Sequence, residues 1–144
     1  RGFELVKGES NVALLPKRST SHSAGYDFKA SKAVLIEPKE IKFVPTGVKA
    51  YMQEGEVLKV YDRSSNPRKK GIVLVNSVGI IDKDYYGNSE NDGHIQGIFT
   101  NITDKPVIIE EGQSIMQGVF QKFLLADGDN ATGERKGGFG STGD

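Results

Sequence analysis

The feature that most constrains this chain is a recurrence of short runs rich in Val, Ile, Phe and Tyr, each closed off by turn residues. The runs span 33–36, 41–44, 48–52, 57–61, 72–75, 95–101, 107–109 and 115–125. Runs of this length and β-branched content predict strands, and their spacing predicts an all-β, jelly-roll-like β-sandwich. Glycine supplies the turns: 18 of 144 residues, about twice the usual share. One helix of about two turns is expected after Ser65 and Asn66, with Pro67 in its first turn and Gly71 ending it.

A chain of 144 residues suits one domain, which we place at residues 1–126. From Asp127 the composition shifts to Gly, Asp, Asn, Thr and charge, with Phe139 the only large apolar residue. Such a segment cannot build a core, so residues 127–144 are expected to form a flexible C-terminal arm, ordered by what it binds. A sandwich of this size also has edge strands to protect, and oligomerisation is one way to cover them.

Acids and bases balance at 19 each, so no global field draws the protein to nucleic acid or to an anionic membrane. Any polyanion must be held locally. There is no cysteine for a disulfide or thiolate metal site, and two histidines are too few for a zinc cluster. No run reaches the ~20 apolar residues of a membrane span, and no charged segment followed by an apolar one opens the chain. These features predict a cytoplasmic protein.

Five segments carry chemistry. Gly79-Ile80-Ile81-Asp82-Lys83-Asp84-Tyr85-Tyr86-Gly87, preceded by Asn76, reads as a hairpin exposing a carboxylate and a tyrosine on a rigid support. An ionised Asp82 there could deprotonate a water, although an ordinary acidic hairpin tip reads the same way. Arg63-Ser64-Ser65-Asn66-Pro67 groups a guanidinium with hydroxyls and helix-start N–H groups, which suits phosphate and equally suits a helix cap. Gly137-Gly138-Phe139-Gly140-Ser141-Thr142-Gly143 behind Arg135 lets backbone approach a ligand and offers donors to a terminal phosphate; a floppy tail is the plain alternative. Ala24-Gly25-Tyr26-Asp27 and the amide of Gln117 are weaker, and each alone reads as structural.

Together and in this order, these segments resemble the five ordered motifs of the trimeric dUTPase family, over residues 24 to 143. The resemblance implies a homotrimer with active sites shared between chains, cleaving dUTP to dUMP and pyrophosphate with Mg2+. Such an activity limits uracil incorporation into DNA and supplies dUMP for thymidylate synthesis. One chain would contribute the first, second and fourth motifs to each site, its neighbour the third, and the remaining chain the fifth.

By position, the resemblance makes Asp82 the general base for in-line water attack on the α-phosphorus. Tyr85 would lie against the deoxyribose and reject a 2′-hydroxyl, while Asn76 and the backbone around Gly79 would pair with the uracil edge. Asp27 would help hold Mg2+ through water. Arg63, Ser64, Ser65 and Gln117 would contact the phosphates. In the arm, Phe139 would stack on uracil, with Arg135, Gly140, Ser141 and Thr142 around the γ-phosphate.

The chain departs from the family pattern in three places. Ser114 stands where an arginine is usual, Arg135 and Lys136 both compete for the γ-phosphate, and the polar stretch 88–94 is longer than the usual turn. The nearest alternative is dCTP deaminase, a relative of the same β fold. Asp82 with Tyr85 and the Phe139 segment match the dUTPase pattern, and no glutamate-centred deamination motif is seen. A nucleotide-gated module with a protein partner that reads the ordered arm or the 88–94 stretch is a second alternative. A serine hydrolase using Ser64 and His22 is a poor third, since no nucleophile elbow is present.

Overall fold

The structure is a computed structural model and describes residues 1–143. Asp144, the last residue of the expected arm, lies outside the described residues. Ten strands are laid down in chain order: β1 (Gly2–Leu5), β2 (Tyr26–Lys29), β3 (Val34–Ile36), β4 (Ile41–Tyr51), β5 (Glu56–Asp62), β6 (Ile72–Leu74), β7 (Val78–Ile81), β8 (Ile95–Asn101), β9 (Val107–Ile109) and β10 (Ser114–Lys122). They form one sheet of order β1-β4-β8-β6, a second of order β2-β10-β5-β7, and a β3-β9 pair. All of these ladders are antiparallel, in an all-β, jelly-roll-like sandwich.

Alternation decides which residues face inward. Along β8 the pattern of buried and half-buried residues is strict, and Ile95 and Phe99 point into the core. Phe28 and Met116 meet them from the opposing sheet, with Leu58 and Ile36 also fully buried. An aromatic cluster ties β1 to the second sheet: the Phe3 ring lies 5.4 Å from Phe28, edge-on, and 5.3 Å from both Tyr26 and Phe120.

Two expected strands, 41–44 and 48–52, are one. β4 passes through Pro45, Thr46 and Gly47 by a bulge, where the register against β8 slips between Pro45 and Val48 and Gly47 takes φ 73°. The bulge is held from inside. Buried Thr46 donates its hydroxyl to the Ile95 carbonyl at 2.5 Å, and the Gly47 N–H donates to His94 Nε2 at 2.8 Å.

The expected two-turn helix is a single wide turn at Asn66–Lys70, closed by the Gly71 N–H donating to the Asn66 carbonyl. Asn66 is fully buried and gives its amide to Asp62 Oδ1 (2.6 Å) and the Ile115 carbonyl (2.7 Å), pinning the start of the turn to β5 and β10. Gly71 ends the turn at once in a left-handed conformation, φ 69°, where a Cβ would come within 2.4 Å of the Thr103 methyl. No room remains for a second turn before β6.

The run expected at 115–125 ends as a strand at Lys122, and residues 126–143 carry no strand or helix. That segment comes back against the rest of the chain, with Arg135 beside Asp82 and Asp84, Gly138 against Tyr85 and Phe139 against Phe43. Among the described residues, no helix is long and apolar enough to cross a membrane.

Candidate active site

The residues singled out from sequence fall into two groups. The first surrounds a cleft of about 280 Å3, near the lower edge of the ~300–1,000 Å3 usual for small-molecule sites and of nucleoside size. Its floor is Val60, Leu74, Ile95 and Met116, and Asn76, Gly79, Asp82, Tyr85, Arg135, Phe139, Gly140 and Thr142 line it. β7 forms one wall because Gly79 pairs with Val60 and, lacking a side chain, leaves the face open. Asn76 precedes it in the turn from β6.

Asp82 follows β7 in extended conformation and opens a 3-10 turn, Lys83–Tyr85, with its carbonyl accepting from the Tyr85 N–H at 3.1 Å. Its carboxylate is half exposed at the cleft edge. Arg135 bridges two acids there, with Nη2 2.6 Å from Asp82 Oδ2 and Nε 2.7 Å from Asp84 Oδ1. Arg135, and not Lys136, is therefore the basic arm residue in the cleft; Lys136 is exposed and offers only its carbonyl, to Ser89. Phe139 packs edge-on against Phe43, with ring centroids 4.9 Å apart. Ser141 is exposed beside the cleft and does not line it.

Tyr85 departs from expectation. The acid-rich tip was read as exposing it, yet it is only 6% exposed. Gly138 lies across the ring so closely that a Cβ there would come within 2.4 Å of Tyr85 Cε1, and the 88–94 loop closes round the phenol. The hydroxyl donates to the His94 carbonyl (2.6 Å) and accepts from Asn91 Nδ2 (2.9 Å). Burial pushes the phenol pKa up, opposed by the Asn91 hydrogen bond.

His94 is a second buried group of this loop. Its Nε2 accepts from the Gly47 N–H, so the ring is neutral with its proton on Nδ1, and burial holds its pKa below the ordinary 6.5 against the nearby Glu9 and Asp92 carboxylates. The folded state then binds this proton less readily than the unfolded chain. The stabilisation is complete above the ordinary value and is lost as pH falls through the folded one. Melting temperature should fall as pH is lowered below about 6.5, and His94→Gln should flatten that slope. An unchanged slope in the variant would remove His94 as its source.

The second group gathers Asp27, Arg63, Ser64, Ser65 and Gln117. Asp27 pairs with Gln117 between β2 and β10, Arg63 Nε lies 3.3 Å from Asp27 Oδ1, and Gln117 Nε2 donates to the Asp62 carbonyl at 3.3 Å. Ser64 is exposed and Ser65 half-buried, without a side-chain cap bond. At Ser114, where the family pattern usually has an arginine, two other cations converge on the carbonyl: Arg63 Nη1 at 3.3 Å and Lys70 Nζ at 3.1 Å. Burial, then the Arg63 charge, lowers the Lys70 pKa.

Sequence reading gave no role of its own to Asp62, which heads this segment and holds the loop: one carboxylate oxygen accepts from the Arg63 N–H and Asn66, the other from the Leu74 N–H. It also missed Asn88, Asn91 and His94. The unusual length of the 88–94 stretch was the available signal.

Register separates the two groups. Asp27, Gln117 and Tyr61 share one row, and the neighbouring row holds Gly118, Val60 and Gly79, so Asp27 and Gln117 face away from the cleft. Along β5, Asp82 lies just beyond the Leu58 end and Arg63 just beyond Asp62, about six strand residues or roughly 20 Å apart. Among the described residues no cluster of three or more His, Asp or Glu side chains could hold a metal ion. Asp27 and Asp62 are the carboxylates of the second group.

The dUTPase family model matches residues 11–143. The chain belongs to the dUTPase family. It is 60% identical over 146 residues to the deoxyuridine 5'-triphosphate nucleotidohydrolase of Lactococcus lactis subsp. lactis (strain IL1403), covering 99% of this chain and 97% of that one. The crystal structure of dUTPase from Streptococcus mutans superposes with a TM-score of 0.88 at 58% identity, covering 89% of this chain and 100% of that chain. A mutant dUTPase from phage phi11 of S. aureus, whose structure details the coordination of a structural Mg(II) ion in that protein, shares the fold at 21% identity with a TM-score of 0.72, over 90% of this chain and 94% of that chain. The chain is a dUTP diphosphatase, an enzyme that hydrolyses dUTP.

Proposed function

We propose that this dUTPase acts as a homotrimer whose sites are each assembled from different chains, and that Asp82 activates the water that attacks the α-phosphorus of dUTP. One observation carries the reading: Asp82 lines the cleft while Asp27 and Gln117 point to the opposite face of the same sheet, and Asp82 and Arg63 lie at opposite ends of β5. An arginine or aspartate side chain spans far less than the roughly 20 Å between them, so a single triphosphate meets both only if they come from separate subunits.

The uracil and deoxyribose occupy the cleft, with Asn76 and the Gly79 backbone on the base and Tyr85 against the sugar. Asp82 accepts the proton of the attacking water. The water oxygen bonds to the α-phosphorus, the bond to the bridging oxygen breaks, and pyrophosphate leaves dUMP behind. Arg63, Ser64, Ser65 and Gln117 hold the phosphates in line for this displacement.

The donor set suits Mg2+, a cation that keeps most of its waters and takes few protein carboxylates when phosphates supply the rest. Asp27 would hold it through water, and the ion would draw off charge developing on pyrophosphate. The arm completes the site: Phe139 stacks on uracil, and Arg135, Gly140, Ser141 and Thr142 take the γ-phosphate. Residues 1–126 then serve as the β domain and 127–144 as its closing arm. A chain without cysteine fits a cytoplasmic setting, where the product dUMP feeds thymidylate synthesis and removal of dUTP keeps uracil out of DNA.

Pyrophosphate release from dUTP, dTTP, dCTP and UTP tests the substrate. Release from dUTP alone, dependent on Mg2+, is expected; ammonia from dCTP, or equal release from UTP, would contradict the reading.

A further inference from the structure

The 88–94 loop forms a closed polar network around Tyr85. Asn88, buried, spends its whole amide inside the network: Nδ2 donates to the Tyr85 carbonyl (2.7 Å) and to Asn91 Oδ1 (2.8 Å), while Oδ1 accepts from the Glu90 and Asn91 N–H groups (3.0 and 3.1 Å). Asn91 Oδ1 also accepts from the Gly93 N–H at 3.1 Å. With two donors already on that oxygen, only Asn91 Nδ2 can face the phenol, and the phenol proton must go to the His94 carbonyl.

The loop itself is latched to the rest of the sandwich. Asp92 accepts from the Lys7 N–H (2.9 Å) and from Lys49 (2.9 Å), and the His94 ring accepts from the β4 bulge at Gly47. Gly93, at φ 85°, lets the loop close onto the Tyr85 segment, since a Cβ there would lie 2.8 Å from the Tyr85 carbonyl oxygen and 2.9 Å from Tyr86 Cα. The phenol is thus fixed from two sides by a loop that is fixed in turn.

We infer that Asn91 is a positioning residue for sugar discrimination, and that the 88–94 loop sets how firmly the Tyr85 ring closes against a ribose 2′-hydroxyl. The inference rests on the reading that Tyr85 faces the deoxyribose. A ring that only has to fill space needs no hydroxyl. One that must hold its plane against a substituent gains from anchoring its far end, because a wall that yields cannot reject. The base-reading wall, Gly79 with Asn76, lies on a different element and makes no bond to this network.

The test measures kcat/KM for dUTP, UTP and dTTP with Asn91→Ala, Tyr85→Phe and the double variant. Each single variant should lower the dUTP:UTP preference by about tenfold, the scale of a lost buried hydrogen bond. The double variant should lower it no further than Tyr85→Phe alone, because that variant already removes the Asn91 link together with the bond to the His94 carbonyl. The dUTP:dTTP preference should stay as in the wild type. Tyr85→Phe changes no residue of the loop, so it answers the question even if Asn91→Ala fails to fold. An unchanged dUTP:UTP preference in either variant, or an equal fall in both preferences, would overturn the inference. Tyr85→Ala separates the two levels: if it collapses sugar preference while Asn91→Ala and Tyr85→Phe do not, only the anchoring role fails; if it leaves sugar preference intact, the placement of Tyr85 fails with it.

Discussion

Asp82→Asn should lower turnover by about 10²-fold or more while leaving nucleotide affinity nearly unchanged. The substitution keeps the size of the side chain and its place before the Lys83–Tyr85 turn, where backbone and not side chain makes the structural bond. What it removes is the capacity to take a proton. The Arg135 contact reinforces the expectation of intact binding, since an amide oxygen can still accept from the guanidinium that now lies 2.6 Å from the carboxylate. Single-turnover pyrophosphate release, paired with calorimetric titration of a non-hydrolysable dUTP analogue, separates the two effects. Near-normal turnover would take Asp82 out of the base role, and a matching loss of affinity would make it a binding residue.

Deleting residues 133–144 should leave the sandwich folded and assembled, with activity reduced by about 10²-fold or more, because positioning at the phosphates is where such a site makes its rate. No side chain of that segment belongs to the buried core, whose last member along the chain is Met116. The contacts that would be lost are local: the Arg135 bridge to Asp82 and Asp84, Gly138 across the Tyr85 ring, and Phe139 against Phe43. Melting temperature should therefore move little. A truncated chain that is unfolded or monomeric would show that the arm is structural, and one that retains full activity would show that it is dispensable.

Much of the sandwich was legible because its central strands alternate cleanly. β8 and β9 fall on the expected residues 95–101 and 107–109, and β5 differs by one residue at each end. β1, β2 and β7 lie outside the expected runs, and β7 was legible only as the start of a hairpin; each has only four residues and mixes glycine or charge into the run, so periodicity had too little length to register. Fusion of two runs into β4 was hidden by Pro45 and Gly47, which signal a turn unless buried Thr46 and His94 hold a bulge between them.

For the site, residue types and their order were legible, and the division into two groups was not. Asp27 and Gln117 sit far apart in the chain, and only strand pairing puts them in one row, facing away from Gly79. The burial of Tyr85 likewise depends on tertiary partners. Asn88 and Asn91 read as an ordinary polar loop until their amides are seen to close around a phenol.

One active site is proposed to draw its acid and its phosphate cradle from different subunits, and subunit complementation distinguishes this from a site built within one chain. Asp82→Asn and Arg63→Ala chains, each inactive alone, would be unfolded together, refolded as a mixture and assayed for pyrophosphate release from dUTP. The account predicts recovery of about a quarter of wild-type activity at equal mixing, because in a closed threefold assembly some sites pair an intact Asp82 from one parent with an intact Arg63 from the other. A mixture that forms hybrid assemblies yet never exceeds the sum of its parents would contradict it.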